Sequence, residues 1–184
     1  MNAASESVTS ASRRCRRAYE QLVRLAQATV EISQQPDEVV LFRAESISRW
    51  NTAEQLEHVA ISNRQIVKRM DEILSAGEPE EASGPSPAGR VILLTGYIPR
   101  GIGKAPEHTL PRSTSLEQVR QSVSESQRSV TDLVSRLPEI DSCRRRFNHH
   151  VLGGFTPAQW LQFMAIHTRH HLKIIRDIQR ARAQ

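Results

Sequence analysis

The sequence predicts an all-α protein, a four-helix bundle with a long loop between its second and third helices. Three observations carry this. Apolar residues recur at three- and four-residue steps over four separate stretches. Capping residues, glycine and proline bound those stretches. Aromatic residues make up only 4% of the chain, whereas all-β cores are usually enriched in them.

The first stretch runs from about residue 13 to Ser33. It carries Tyr19, Leu22, Val23, Leu25, Ala26 and Val30, and Pro36 follows it. The second starts after Trp50, with Asn51 or Thr52 as N-cap, and runs to about Ala76, where Gly77 and Pro79 stop it. Its core candidates are Leu56, Val59, Ile66, Val67, Met70, Ile73 and Leu74. The third runs from Ser115 to Leu137 and is ended by Pro138, with Ser113, Thr114 or Ser115 as its cap. Its apolar face holds Leu116, Val119, Val123, Val130, Leu133, Val134 and Leu137. The fourth runs from Pro157 to about Ala183. Thr156 is its N-cap, Pro157 takes the first helical position, and Gln159 completes a capping box.

The segment Gly77–Arg112 is rich in Pro and Gly and is unusually long for a structureless loop within a domain. Val91 to Leu94 are apolar enough to pack, as a short helix or as a cover over one end of the bundle. Long loops of this kind are often lids or binding loops. The length also permits a crossover, so that the second and third helices need not be antiparallel neighbours.

A chain of 184 residues can bury a core without disulfides. Residues 1–12 read as a flexible polar leader and residues 13–184 as one domain. The two cysteines, Cys15 and Cys143, form neither a CxxC pair nor a disulfide framework, and a reducing, cytoplasmic setting is expected. Cys15 sits in a basic patch and reads as an ordinary free thiol. No apolar run approaches the ~20 residues that span a bilayer, and the N-terminus lacks the apolar core of a signal peptide. The net charge is +5, but the basic clusters are short and acidic residues interleave between them. Solvated helix ends account for these clusters, and no nucleic-acid partner is expected.

Seven histidines stand at positions 58, 108, 149, 150, 167, 170 and 171. In the fourth helix, Trp160, Met164, His167, His171, Ile174 and Ile178 form one stripe, an unbroken core seam with two histidines in its middle. Residues four apart on a helix face the same way, so the imidazoles of His167 and His171 can converge on one cation. Burying both without partners is costly. A metal or a dense hydrogen-bond network must answer that cost. His170 points to one side. The metalloprotease motif is excluded in its standard form, because Thr168 stands where it needs Glu. A third ligand must come from another helix. His58, between Leu56 and Val59 at the edge of the second helix's apolar face, is the candidate, although its periodicity fits a surface histidine equally well.

The segment WNTAEQLEHVA around His58, and GFTPAQWLQFMAIHTRHH with His167 and His171, resemble the DinB-like superfamily. Gly154, Thr156, Gln159, Trp160, His167, His170, His171 and Leu172 look like one of its uncharacterised subgroups. FNHHVLGG and IPRGIGKAPE are similar to that subgroup as well. The resemblance covers roughly Ala18 to Ile178. It implies a four-helix bundle that holds a divalent metal, often zinc or nickel, through His58, His167 and His171. It also implies frequent homodimerisation. Characterised relatives include bacillithiol- or mycothiol-dependent transferases and isomerases, and some hydrolases.

Three histidine ligands leave a divalent ion with open positions, the pattern of catalytic rather than structural sites. The expected function is therefore a metal-dependent thiol S-transferase or hydrolase acting on a small molecule, with a low-molecular-weight thiol as a possible cofactor. The alternative is a non-enzymatic binding or dimerisation module with structural histidines. Glu54, one turn before His58, could orient it or act as a base, or be a solvated surface carboxylate; Glu57 is adjacent to His58. Arg100 and Lys104 could attract an anionic substrate or be ordinary surface charges. His149 and His150 could reach the mouth of the site or belong to a loop.

Overall fold

The computed structural model describes residues 10–75, 83–101 and 103–184. Most of the expected leader, and the Gly77 and Pro79 stop of the second helix, lie outside these residues. Four long helices make the bundle: α1 (Arg13–Ser33), α3 (Thr52–Ser75), α5 (Leu116–Asp132) and α7 (Pro157–Arg182). Shorter helices occupy the links: α2 (Asp37–Val40), α4 (Pro87–Thr95) and α6 (Leu137–Ser142). Strands β1 (Phe147–His149) and β2 (Gly153–Phe155) form an antiparallel hairpin before α7. Among the described residues, no helix is long and apolar enough to cross a membrane.

The caps resolve the alternatives left by the sequence. Asn51 caps α3: its Oδ1 accepts from the Glu54 N–H at 2.9 Å, and the Glu54 carboxylate accepts from the Asn51 N–H at 2.8 Å. Ser115 caps α5. Thr156 and Gln159 form the expected capping box on α7. Each pair satisfies backbone N–H groups that the first turn of a helix leaves without partners.

One element differs from expectation. The third helix loses its α-helical hydrogen bonding at Asp132, tightens into a 3-10 turn over Leu133–Arg136, and restarts as α6. Pro138 lies in the first turn of α6 rather than ending a helix, at a position where its missing N–H is not needed. In the long segment, Val91 to Leu94 lie in the short helix α4, one of the two readings of the sequence, and a 3-10 turn follows at Glu107–Thr109.

Helix directions follow from the polar contacts. Glu57 accepts from Ser113, Arg64 pairs with Glu125, and Asp71 with Arg136, so α3 and α5 run parallel. Arg14 meets Gln162 and Gln35 meets Gln179, so α1 and α7 run parallel too. Tyr19 reaches Thr131 while Arg120 reaches Ser33, making α1 and α5 antiparallel. Around the bundle the order is α1, α5, α3, α7, with α1 and α3 largely across the core from one another.

A parallel α3–α5 pair needs a connection that travels back the length of the bundle, and the long segment is that crossover. It starts at the hairpin, where Ser86 N–H donates to the Leu152 carbonyl at 2.8 Å. Gly89 is required there, since a Cβ would lie 2.4 Å from the same oxygen. The strap then follows α7. Gln162 donates to the Leu93 carbonyl at 2.6 Å, Arg169 to that of Gly96 at 3.1 Å, and Arg100 to Asp177 at 2.7 Å. Finally it crosses onto α3, where Thr109 and Ser113 dock.

The core stripe of α1 runs Cys15, Tyr19, Leu22, Ala26, Thr29, Ser33, with steps of four and three residues. On α7, Trp160, Met164, His171, Ile174 and Ile178 are buried as the seam predicts, and His167 is half-buried. Leu161, also fully buried, adds a second apolar row facing the main cluster. Leu161→Ala is expected to lower stability by about 2–5 kcal/mol in a denaturant titration. Leu94→Ala, at a side chain 87% exposed, is expected to shift it by no more than about 0.5 kcal/mol.

Candidate metal centre

His58 on α3 and His167 and His171 on α7 form one cluster, with one ring nitrogen from each lying within 4.8 Å of the others. Their Nε2 atoms face one another. His58 Nε2 stands 3.3 Å from His167 Nε2, and His171 Nε2 stands 3.1 Å from the same atom. The α7 pair meets because of its four-residue spacing. His58 reaches it because α3 and α7 are antiparallel neighbours, with Gln55 level with His171.

The outer nitrogens set the tautomers. His58 Nδ1 lies 2.8 Å from the Thr109 carbonyl oxygen, which can only accept, so Nδ1 carries the proton. His171 Nδ1 lies 2.6 Å from Gln55 Oε1. Gln55 turns that oxygen inward because its amide nitrogen donates to Ser48 Oγ at 2.9 Å. Ser48 Oγ in turn accepts from the Trp50 backbone N–H at 3.0 Å. With both Nδ1 atoms protonated, the Nε2 atoms of His58 and His171 present lone pairs toward His167.

His167 cannot answer both. A neutral imidazole has one proton, and the Nδ1 of His167 is buried without a partner. Whichever tautomer it takes, at least one inward lone pair stays unsatisfied, a costly state in a buried site. A divalent cation resolves it by accepting all three lone pairs. The two separations from His167 Nε2 fit as well. Nitrogens bound at 2.0–2.1 Å around a tetrahedral ion lie about 3.3–3.4 Å apart, close to the 3.1 and 3.3 Å found here.

Electrostatics keep the ligands ready. Burial pushes the pKa of His58 down, against a smaller upward pull from its contact with Thr109. Burial, and then the neighbouring histidines, hold His167 and His171 well below the usual histidine range. All three are neutral at neutral pH, the state a metal ligand needs. Trp50 covers His58 with ring centroids 5.0 Å apart, and Phe163 stacks on His167 at 5.7 Å.

The residues from 13 to 175 match the family model of the DinB superfamily. The chain belongs to that superfamily. No curated protein and no solved structure matches it. For this DinB chain, then, the three histidines quoted for the resemblance are the ones the fold gathers.

The other candidates are placed elsewhere. Glu54 is engaged in the α3 capping box and pairs with Arg43 at 2.9 Å, and it is not part of the histidine cluster. Glu57 is buried, and its Oε1 accepts from Arg112 N–H, Ser113 N–H and Ser113 Oγ. It anchors the strap that carries Thr109. Arg100 pairs with Asp177 on α7, and Lys104 is exposed. His149 closes the hairpin turn, its Nδ1 accepting from Val151 and Leu152 N–H, and His150 is exposed. His170 lies beside His171, with ring centroids 5.1 Å apart, but outside the cluster.

Sequence reasoning missed Gln55, Ser48, Trp50 and Thr109. Gln55 had a signal, a polar residue one turn before His58 beside an apolar stripe. Thr109 contributes a backbone carbonyl, which no side-chain pattern announces.

A pH dependence follows. In the unfolded chain the three histidines bind protons near 6.5, whereas in the metal-free folded chain their pKa values lie lower. Below that pH the unfolded state binds more protons, so stability falls as pH falls. Chelated protein is expected to lose melting temperature steadily between about pH 7.5 and 5.5. His171→Gln is expected to make the decline shallower. A pH-independent melting temperature in the parent would contradict the burial of neutral imidazoles.

Proposed function

We propose that this DinB protein binds a divalent metal ion through Nε2 of His58, His167 and His171 and uses it in chemistry on a small molecule, as a thiol S-transferase or a hydrolase. The observation that carries this reading is the set of two lone pairs, fixed in direction by Thr109 and Gln55, that converge on a third imidazole unable to satisfy both. A purely structural histidine cluster would be expected to hydrogen-bond within itself. Here the groups behind the rings aim two lone pairs at one nitrogen and leave at least one of them without a proton.

Bound with three nitrogen ligands, such an ion supplies Lewis acidity at the positions the protein leaves free. The chain's own residues do the rest of the preparation. Ser48 and Gln55 hold the ring of His171, and Thr109 holds that of His58. Glu57 keeps the strap in place so that Thr109 stays over His58. Trp50 and Phe163 give two of the rings apolar neighbours, which favours their neutral form.

Protein purified without an affinity tag is expected to carry a stoichiometric divalent ion by elemental analysis, or to take one up on loading. His58→Ala, His167→Ala and His171→Ala should each remove it. A protein that binds no such ion after loading would sink the reading. Catalysis is tested separately, by metal-dependent turnover of thiol, ester or amide substrates that chelation abolishes and reloading restores. If chelation lowers the melting temperature and no turnover is found, the histidines serve a structural module instead.

The outer shell has its own test. Gln55→Ala is expected to weaken metal affinity by roughly 10–100-fold, measured by competition with a chelator. Glu54→Ala, which removes a cap and a surface ion pair, is expected to leave that affinity unchanged.

A further inference from the structure

A second group of chemistry-bearing side chains lies on α7, on a different side of the helix from His167 and His171. Ile166, Arg169, His170 and Lys173 recur at three- and four-residue intervals and form one stripe. The strap from Gly96 to Arg100 lies over it, and together they enclose a recess of about 210 Å³. Ile98 and Ile166 give it apolar walls, and Arg100, Arg169 and Lys173 give it charge.

The charge is not balanced. No acidic residue lines the recess. Arg100 pairs with Asp177 at the rim, and that carboxylate is shared with Arg180 at 3.9 Å. Arg169 donates to the Gly96 carbonyl, a neutral partner. Neither Arg169 nor Lys173 has an ion-pair partner among the described residues. A concave site walled by low-dielectric groups and lined by one sign of charge focuses its field on an opposite charge.

The backbone is shaped around this arrangement. Gly96 ends α4 with φ +65°, in the left-handed region, and a Cβ there would lie 2.9 Å from Arg169 Nη2. Glycine lets the strap close directly on the guanidinium. His170 and Ile98 also line the recess, one from α7 and one from the strap. The strap is thus held to α7 at Gly96 and at Arg100, while Lys173 stays exposed and free to meet a ligand.

We propose that this recess binds a compact oxyanion, the phosphate or carboxylate group of a small molecule, through charge-assisted hydrogen bonds from Arg100, Arg169 and Lys173. The site is separate from the histidine cluster and does not depend on a metal being bound there.

The test follows backbone amide shifts of the full-length, chelated protein during titration with inorganic phosphate and, separately, acetate at low salt. Saturable shifts centred on Gly96, Tyr97 and Ile98 and on Arg169 to Lys173 are expected. A tighter response to phosphate assigns a phosphoryl ligand, and a tighter response to acetate assigns a carboxylate. Lys173→Ala, which removes no strap contact, should raise the apparent Kd roughly tenfold. Lys68→Ala, on the exposed face of α3, should leave it unchanged. Shifts that do not saturate, that scatter over all basic surfaces, or that weaken equally in both variants overturn the proposal. Repeating the titration after zinc loading should reproduce the same shifts, so failure of the metal reading and failure of this one are told apart.

Discussion

The structure turns on a buried electrostatic conflict. Two imidazoles, on different helices, are held in one tautomer by acceptors behind them and offer lone pairs to a third that has a single proton to give. Burial removes the water that would otherwise relieve this, and it also keeps the rings neutral. Hydrogen bonding within the cluster cannot satisfy both of the lone pairs aimed at His167, whereas a cation can accept all three. Much of the surrounding architecture sustains the conflict: Ser48 fixes Gln55, Glu57 fixes the strap, and the strap fixes His58.

That dependence explains the topology. Were α3 and α5 antiparallel neighbours, a short turn would join them and nothing would cross the outer edge of α3. Because they run parallel, the chain must return along the bundle. The return path lies first on α7 and then on α3, the two helices that carry the histidines. The same crossover supplies the Thr109 carbonyl, covers His58, and forms one wall of the recess beside His170. A connection that topology requires has become the outer shell of one candidate site and half of another.

The bundle was legible in the sequence because its signals are local. Periodicity, the Thr156–Gln159 capping box and the seam from Trp160 to Ile178 need no knowledge of distant residues. His167 and His171 share that advantage, since helical spacing alone brings them together. His58 does not: at the edge of an apolar face, it is buried to 4% exposure because a segment some fifty residues later folds over it. The short hairpin and α6 were missed for a related reason. Three-residue strands carry too little alternation to register, and Pro138 reads as a terminator unless the preceding turn is known to have tightened.

Glu54 and Glu57 show how far residue type can mislead without geometry. Both are carboxylates close to His58 in sequence, and either could be written as its orienting group or base. In the structure neither oxygen set turns to the imidazoles. Glu54 holds the first turn of α3, and Glu57 holds the backbone of Arg112 and Ser113. The groups that do orient the ligands are an uncharged amide and a peptide carbonyl. That choice has a physical consequence. A carboxylate behind each histidine would add negative charge and draw a proton onto the ring, raising its pKa. Neutral acceptors fix the tautomers of His58 and His171 with a weaker pull, which burial outweighs, so the rings stay neutral.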